Sequence, residues 1–225
     1  MKKLLATSVM AAATVAMMPS QALAGASANA GLVSDYYFRG SNLGDAGMYG
    51  GLDYEQSGFY AGVWTIDDGT GGNDGMEYDL YLGYGAEVGG VSLSAGYTLY
   101  SYTYTADHEG EFNLSAGVAG FSLDVAIGED MNDDSGEDYD YMFYSLGWSG
   151  DVFGATVGYY DADETSSGAN DDTEYKYFEL SASGEVSGLD VTATIGTKFD
   201  DEVGGVDVDN EDGYMVLDVS KSFDL

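Results

Sequence analysis

The sequence has 225 residues, and its 40 acidic side chains against 6 Lys and Arg give a formal net charge of −34 at pH 7. This charge excludes nucleic acid as a natural partner, because nucleic-acid binding requires Lys and Arg to neutralise phosphates. The absence of Cys excludes disulfides, thiolate metal sites and lipid attachment through a cysteine.

The first 24 residues have the pattern of a cleavable secretory signal. Lys2 and Lys3 form a basic start, an apolar run covers Leu4 to Met18, and Ala22-Leu23-Ala24 supplies the small residues that a signal peptidase needs. The apolar run is shorter than the roughly 20 residues of a membrane-spanning helix. We therefore predict cleavage near Ala24 and one mature domain over residues 25–225.

The mature sequence is divided into alternating segments that predict β-strands. Most are near the roughly 9–11 residues that a tilted strand needs to cross a bilayer. Twelve segments are predicted, with ten or fourteen as alternatives: 31–40, 46–56, 58–67, 75–88, 90–104, 110–118, 120–129, 139–149, 151–162, 173–185, 187–199 and 212–225.

The connections between these segments alternate strictly between short and long. The short ones are rich in Gly, which tight hairpins favour, and the long ones are acidic. This alternation is typical of an all-β, antiparallel transmembrane β-barrel with short periplasmic turns and longer extracellular loops. No segment after residue 25 is apolar over the length of a membrane-spanning helix, so a closed barrel is the way in which this chain would cross a membrane.

Each predicted strand has one apolar face and one polar face. In MEYDLYLGYGAEV (76–88), Leu80 and Leu82 lie on the apolar parity, whereas Glu77 and Asp79 lie on the other. A membrane barrel would turn the apolar face to lipid, whereas a soluble sandwich would bury it. Because the polar parity consists mostly of small residues, we expect a hollow, hydrated lumen unless loops fold inward.

Tyr is abundant near the predicted strand ends, where its ring and hydroxyl suit a lipid–water boundary. We therefore expect an aromatic girdle, with general β-propensity as the alternative explanation. The last segment, 212–225, is amphipathic, as the final strand of outer-membrane barrels commonly is. It departs from their terminal aromatic residue, because Phe223 is followed by Asp224 and Leu225.

Four stretches together resemble the TorF family of porins from Gram-negative bacteria. They are SDYYFRG (34–40), GGLDYEQSGFYAGVW (50–64), EYDLYLGYGAEVGGVSLSAGYTLYSY (77–102) and VSKSF (219–223). The acidic stretch after Gly40 departs from the family pattern. The resemblance implies an outer-membrane barrel and a pore role, and adds little about the solute.

Charged residues on the polar parity are the candidate pore-lining residues. Carboxylates in a lumen raise the local cation concentration and repel anions, so we expect a cation-preferring pore. Arg39, the only mature arginine, would either pair with a carboxylate and hold the strand register or form one wall of a field at a constriction. The candidates are Asp35, Arg39, Asp53, Glu77, Asp79, Glu111, Asp124, Glu179, Asp190, Lys198 and Asp218.

Catalysis and cofactor binding find little support. His108, the only histidine, is predicted to lie in a loop, and no nucleophile, phosphate-loop or dinucleotide motif accompanies it. The acidic loops at 130–136 and 207–213 fit a calcium loop poorly, so we expect solvated acidic loops, with weak, nonspecific divalent-cation binding as the alternative.

The sequence therefore predicts an outer-membrane porin that lets small hydrophilic solutes diffuse and prefers cations. Its expected partners are outer-membrane lipid, these solutes and the barrel-assembly machinery. One alternative is a non-conducting structural or surface-interaction barrel. Another is a soluble, secreted β-protein that binds calcium or sugar.

Overall fold

A computed structural model describes residues 25–67, 75–103, 108–130, 138–166, 169–203, 206–208 and 213–225. The predicted signal peptide, residues 1–24, lies outside these ranges, as does most of the acidic loop at 130–136. Within the described ranges, no helix has the length and apolarity needed to cross a bilayer.

The described residues form twelve long strands, one small hairpin and one short extra strand. The long strands are β1 (Gly25–Val33), β4 (Gly47–Gln56), β5 (Phe59–Asp67), β6 (Met76–Val88), β7 (Val91–Tyr102), β8 (His108–Val118), β9 (Phe121–Asp130), β10 (Asp138–Ser149), β11 (Phe153–Ser166), β12 (Ala169–Val186), β13 (Leu189–Val203) and β15 (Gly213–Asp224). The hairpin consists of β2 (Tyr36–Phe38) and β3 (Ser41–Gly44), and β14 (Val206–Val208) pairs with β13.

The twelve long strands close into a ring. Sequential neighbours pair antiparallel from β4 to β13, and β1 pairs with both β4 and β15, which in turn pairs with β13. The prediction of an all-β, antiparallel, closed barrel of about twelve strands is thus confirmed. Closure leaves none of the twelve strands with an unpaired edge, which is the arrangement that satisfies backbone groups in a membrane.

Tight turns join the strands at the end of the barrel where the chain also enters and leaves. Four of these turns place two successive residues at positive φ, as in Ser57-Gly58 (53° and 88°) and Ala119-Gly120 (51° and 84°). Positive φ at both central residues defines the two-residue turn that matches the twist of a hairpin. The predicted short connections are therefore confirmed at this end.

Side chains alternate along the strands as predicted, with apolar residues on the outside of the ring and carboxylates on the inside. Leu82 on β6 is 54% exposed on the outside of the ring, whereas its near neighbour Asp79 is 3% exposed inside it. Large apolar side chains on the other strands, such as Leu123, Leu146 and Ile195, are likewise about half exposed. The outer surface is therefore an apolar band of the kind that a membrane β-barrel presents to lipid.

The first predicted strand, 31–40, is wrong in its position. The wall strand is β1 at Gly25–Val33, and the following residues leave the wall and form the β2–β3 hairpin. The stretch GASANA (25–30) has low intrinsic strand preference, but it pairs with β4 on one side and β15 on the other. Pairing on both sides therefore outweighs the strand-like composition of DYYFRG.

Inward-facing tyrosines lie flat against glycines on the neighbouring strand. In each case the two residues are direct cross-strand partners, and a Cβ atom on the glycine would overlap the tyrosine ring. The pairs are Gly31–Tyr49, Gly62–Tyr81, Gly83–Tyr60, Gly128–Tyr141, Gly158–Tyr177 and Gly196–Tyr214. These small residues make room for rings rather than for water, which corrects the expectation of a hollow lumen at these positions.

Substitution Gly128→Ala should destabilise the barrel, because the added methyl group would displace the Tyr141 ring. Forcing extra volume into a packed site costs about 1–3 kcal/mol, so the temperature at which the folded band disappears on a semi-native gel should fall. Gly184→Ala is the matched control, since a Cβ atom there meets nothing within 4 Å. Equal transition temperatures for the two variants would contradict this packing role.

Candidate functional site

The β2–β3 hairpin folds into the barrel from the end that carries the long connections and reaches several sides of the wall. Its aromatic side chains contact three different strands. Tyr36 donates a hydrogen bond to Glu77 Oε1 on β6 (3.1 Å), Tyr37 stacks on Tyr214 of β15 (ring centroids 4.0 Å apart), and Phe38 lies against Tyr100 of β7 (6.0 Å). The hairpin therefore crosses the lumen as a plug at this level.

Arg39 occupies the tip of the hairpin. Arg39 and Gly40 have φ values of 51° and 81°, which makes them the two central residues of its turn. A left-handed conformation is costly for a residue with a side chain, and it is kept here because the tip is held on both sides. Gly40 packs against Tyr177 of β12, where a Cβ atom would lie 2.6 Å from that of Tyr177.

The Arg39 guanidinium forms a two-pronged ion pair with Glu111 of β8. Nη1 donates to Oε2 at 2.6 Å and Nη2 donates to Oε1 at 2.9 Å. Both side chains are essentially buried, at 1% and 0% exposure. Burial acts to lower the pKa of the Arg39 guanidinium, but Glu111 raises it above its ordinary value, so Arg39 remains charged.

The wall completes a cage around this ion pair. Tyr100 donates to Glu111 Oε1 at 3.1 Å and Tyr141 donates to Oε2 at 2.7 Å, so each carboxylate oxygen accepts two hydrogen bonds. The guanidinium carbon lies 4.2 Å from the ring centroid of Phe143 and 4.5 Å from that of Phe38. These distances fit cation–π contacts, which are strongest where water is excluded.

Several other lumenal carboxylates also accept hydrogen bonds from hydroxyl groups. Because an ionised carboxylate can only accept hydrogen bonds, each needs donors when it is removed from water. The pairs are Tyr49 to Asp218 (2.7 Å), Tyr214 to Glu179 (2.6 Å), Tyr81 to Asp53, and Ser115 and Ser145 to Asp124 (2.6 and 3.4 Å).

The role of these tyrosines differs from the predicted girdle. Tyr54 and Tyr78 are exposed on the outside, but Tyr36, Tyr100 and Tyr141 are buried inside. The prediction of a girdle is therefore wrong for the inward tyrosines. The signal that distinguishes them is parity: in YDLYLG, Tyr81 shares its strand face with Asp79 and not with Leu80.

The structure places the eleven candidate pore-lining residues in three settings. Glu77, Asp79, Glu111, Asp124, Glu179 and Asp218 are buried on the inner face of the wall. Asp53, Asp190 and Lys198 lie on the inner face and are partly exposed. Asp35 and Arg39 lie off the wall, which corrects their predicted shared strand; Arg39 pairs with a carboxylate, but it holds no register in a wall strand.

His108, a weaker candidate for chemistry, lies in the wall. His108 is the first residue of β8 rather than a loop residue, and its Nδ1 lies 3.0 Å from Ser101 Oγ. Across the described part of the chain, no group of three or more His, Cys, Asp or Glu side chains is arranged to hold a metal ion.

Comparisons with solved structures give remote similarity to outer-membrane proteins. OpdK from Pseudomonas aeruginosa is 14% identical with a TM-score of 0.49, covering 92% of this chain and 68% of OpdK. OccK10 (OpdN) from the same organism is 14% identical with a TM-score of 0.49, covering 92% and 71% of the two chains. A BenF-like porin from Pseudomonas fluorescens Pf-5 is 11% identical with a TM-score of 0.45, covering 86% and 59%.

A comparison with curated proteins gives no match. A family model described as "Bacterial protein of unknown function (Gcw_chp)" matches residues 20–215. Because this match covers most of the sequence, the chain belongs to the Gcw_chp family of bacterial proteins.

Proposed function

We propose that this protein is an outer-membrane channel that lets small hydrophilic solutes diffuse, with a preference for cations, and that the β2–β3 hairpin forms its constriction. The observation that carries this proposal is the reversed amphipathicity of a closed ring, with Leu82 outside and Asp79 inside. A soluble barrel would have the opposite arrangement. The resemblance to the TorF porins supports the same role, with the tight turns in the periplasm.

The part of the barrel between the hairpin and the tight turns has features that favour passage of solutes. Toward the tight-turn end, many inner-face residues of β7 to β10 are Ser or Gly. Examples are Ser94, Ser115, Gly117, Ser122, Ser145 and Gly147. The narrow part of the route is therefore at the level of Arg39, and release of the hairpin tip would connect the two ends of the lumen.

The cation preference rests on the balance of charges on the inner face. Among the described residues, Arg39 and Lys198 are the cationic side chains that point inward, and Arg39 is neutralised by Glu111. Carboxylates such as Asp53, Asp190 and Asp218 remain on the wall. A lumen with more carboxylates than cationic side chains attracts cations and repels anions.

A non-conducting structural barrel is the second candidate. The observation in its favour is the buried ion pair between Arg39 and Glu111, which holds the hairpin across the lumen. A permanently held plug would leave a membrane anchor with an acidic loop surface. The two candidates differ in whether current passes through the reconstituted protein.

Recording in planar bilayers tests the channel directly. Because Val33 and Gly47 are direct cross-strand partners, residues 34–46 can be replaced by a two-residue Asn-Gly turn. We expect this variant to conduct more than the wild type, with a reversal potential that shows cation preference at low salt. The preference should decline at about 1 M salt, where screening extends only about 3 Å.

The control for this recording is Gly184→Ala, which leaves the hairpin intact and adds a methyl group where nothing lies within 4 Å. Its conductance should equal that of the wild type. If neither the wild type nor the hairpin replacement conducts, the structural barrel is the better account. Anion preference at low salt would contradict the role given to the carboxylates.

Substitution of outward side chains tests the membrane environment. Leu82→Arg places a charge at the middle of β6, where it should cost about 2–4 kcal/mol at the bilayer midplane. Val88→Arg at the end of the same strand is the matched control, with an expected cost of about 0–1 kcal/mol near the interface. Refolding into lipid vesicles with a urea titration measures both, and equal costs would contradict a lipid-facing surface.

A further inference from the structure

We propose that Glu111, Tyr100, Tyr141 and Phe143 form a binding site for guanidinium groups, and that Arg39 is its internal ligand. The site would take small solutes with a terminal guanidinium when the hairpin tip leaves. This inference rests on the proposed channel function and names a substrate class for it. In this structure the site is filled by the protein's own Arg39 side chain.

The receptor and the internal ligand belong to different parts of the fold. Glu111 is on β8, Tyr100 is on β7, and Tyr141 and Phe143 are on β10, so all four side chains are positioned by the wall. Arg39 comes from the hairpin. Departure of the hairpin would therefore remove the ligand and leave the receptor in place.

The wall also orients the Glu111 carboxylate, in addition to the contacts of Arg39. The hydroxyls of Tyr100 and Tyr141 hold one oxygen each, at 3.1 and 2.7 Å. Tyr141 is itself fixed by its seat against Gly128. A receptor whose groups are already held in the bound geometry loses little entropy on binding, which favours affinity.

The contacts select the terminal end of a guanidinium. Both Nη groups of Arg39 bond Glu111, whereas its Nε, on the side of the aliphatic stem, has no hydrogen-bond partner among the described residues. The two parallel bonds require a planar fork, and the Phe143 ring at 4.2 Å offers a face to a flat cation. A compact ammonium group would keep the charge but lose the two parallel bonds and the flat face that stacks on Phe143.

Charge also favours a cation as the incoming solute. When Arg39 leaves, Glu111 becomes a buried carboxylate without a counter-charge, and Glu77 and Asp79 are buried nearby on β6. An unpaired buried charge is costly, so the vacated site binds a replacement cation or recovers Arg39. A guanidinium solute would thus compete with the hairpin tip and keep the constriction open while it is bound.

Chemical rescue of Arg39→Ala tests the site. In detergent, guanidinium chloride at about 10 mM should raise the thermal midpoint of this variant by a few degrees, because a ligand stabilises the folded state that binds it. Equal concentrations of sodium chloride, and of urea as a neutral molecule of similar shape, should have no such effect. At this concentration the wild type should not respond, because its tethered Arg39 outcompetes the free cation for the site.

The double variant Arg39→Ala with Glu111→Gln is the matched control, and it should lose the response. If Arg39→Ala does not fold, the barrel with residues 34–46 replaced by Asn-Gly has the same empty site and takes its place. If the variant that folds, Arg39→Ala or the hairpin replacement, shows no guanidinium-specific thermal shift, the proposal is overturned. A shift that persists when Glu111→Gln is added would overturn it too.

Planar-bilayer recording of the same variants separates this proposal from the channel function. Arg39→Ala has no guanidinium of its own to displace, so added guanidinium at the same concentration should instead neutralise Glu111 and reduce the cation current severalfold. The current of the double variant should stay unchanged. A thermal shift without conductance in any variant would overturn the channel and support the site. Conductance without a thermal shift would support the channel and overturn the site.

Discussion

The packing inside this barrel depends on carboxylates that are buried on the inner face of the wall and need hydrogen-bond donors. They accept hydrogen bonds but donate none, and the sequence has no Cys, one His and few Lys or Arg to serve them. Its 20 tyrosines supply many of the donors, as in the pairs Tyr49–Asp218 and Tyr214–Glu179. Both of these rings lie against a glycine on the neighbouring strand, Gly31 for Tyr49 and Gly196 for Tyr214. The abundance of Tyr, Gly and acidic residues therefore has one structural explanation: a carboxylate bonded by a tyrosine whose ring lies against a glycine.

The Arg39–Glu111 pair differs from these pairs, because its donor comes from the β2–β3 hairpin and not from the wall. Burying one partner alone would be strongly unfavourable, so each side chain fixes the position of the other. This mutual dependence explains how a hairpin of nine residues, Tyr36 to Gly44, stays folded across the lumen. Glu111 also has donors on the wall, Tyr100 and Tyr141, which do not depend on the hairpin. If the barrel is the proposed channel, competition for this ion pair would open its constriction.

Most of the wall can be predicted from the sequence, because strand alternation and turn chemistry are local. Segment 75–88 matches β6 within one residue, and the glycine turns lie where expected. The hairpin could not be predicted in this way, since Arg39 finds its partner 72 residues away on β8. The stretches 25–30 and 34–40 compete for the first wall position, and only the pairing of β1 with β15 decides between them. The inward tyrosines were predictable from parity, but their hydrogen-bond partners depend on the register between strands.

The two tryptophans test the orientation of the barrel most directly. Trp148 is 42% exposed on the outside of β10, whereas Trp64 is 8% exposed on the inside of β5. In vesicles of lipid brominated on the acyl chains, the fluorescence of a Trp64→Phe variant, which retains Trp148, should be strongly quenched. That of a Trp148→Phe variant, which retains Trp64, should be nearly unchanged. Equal quenching of the two variants, or quenching of Trp64 alone, would contradict an acidic interior enclosed by a lipid-facing wall.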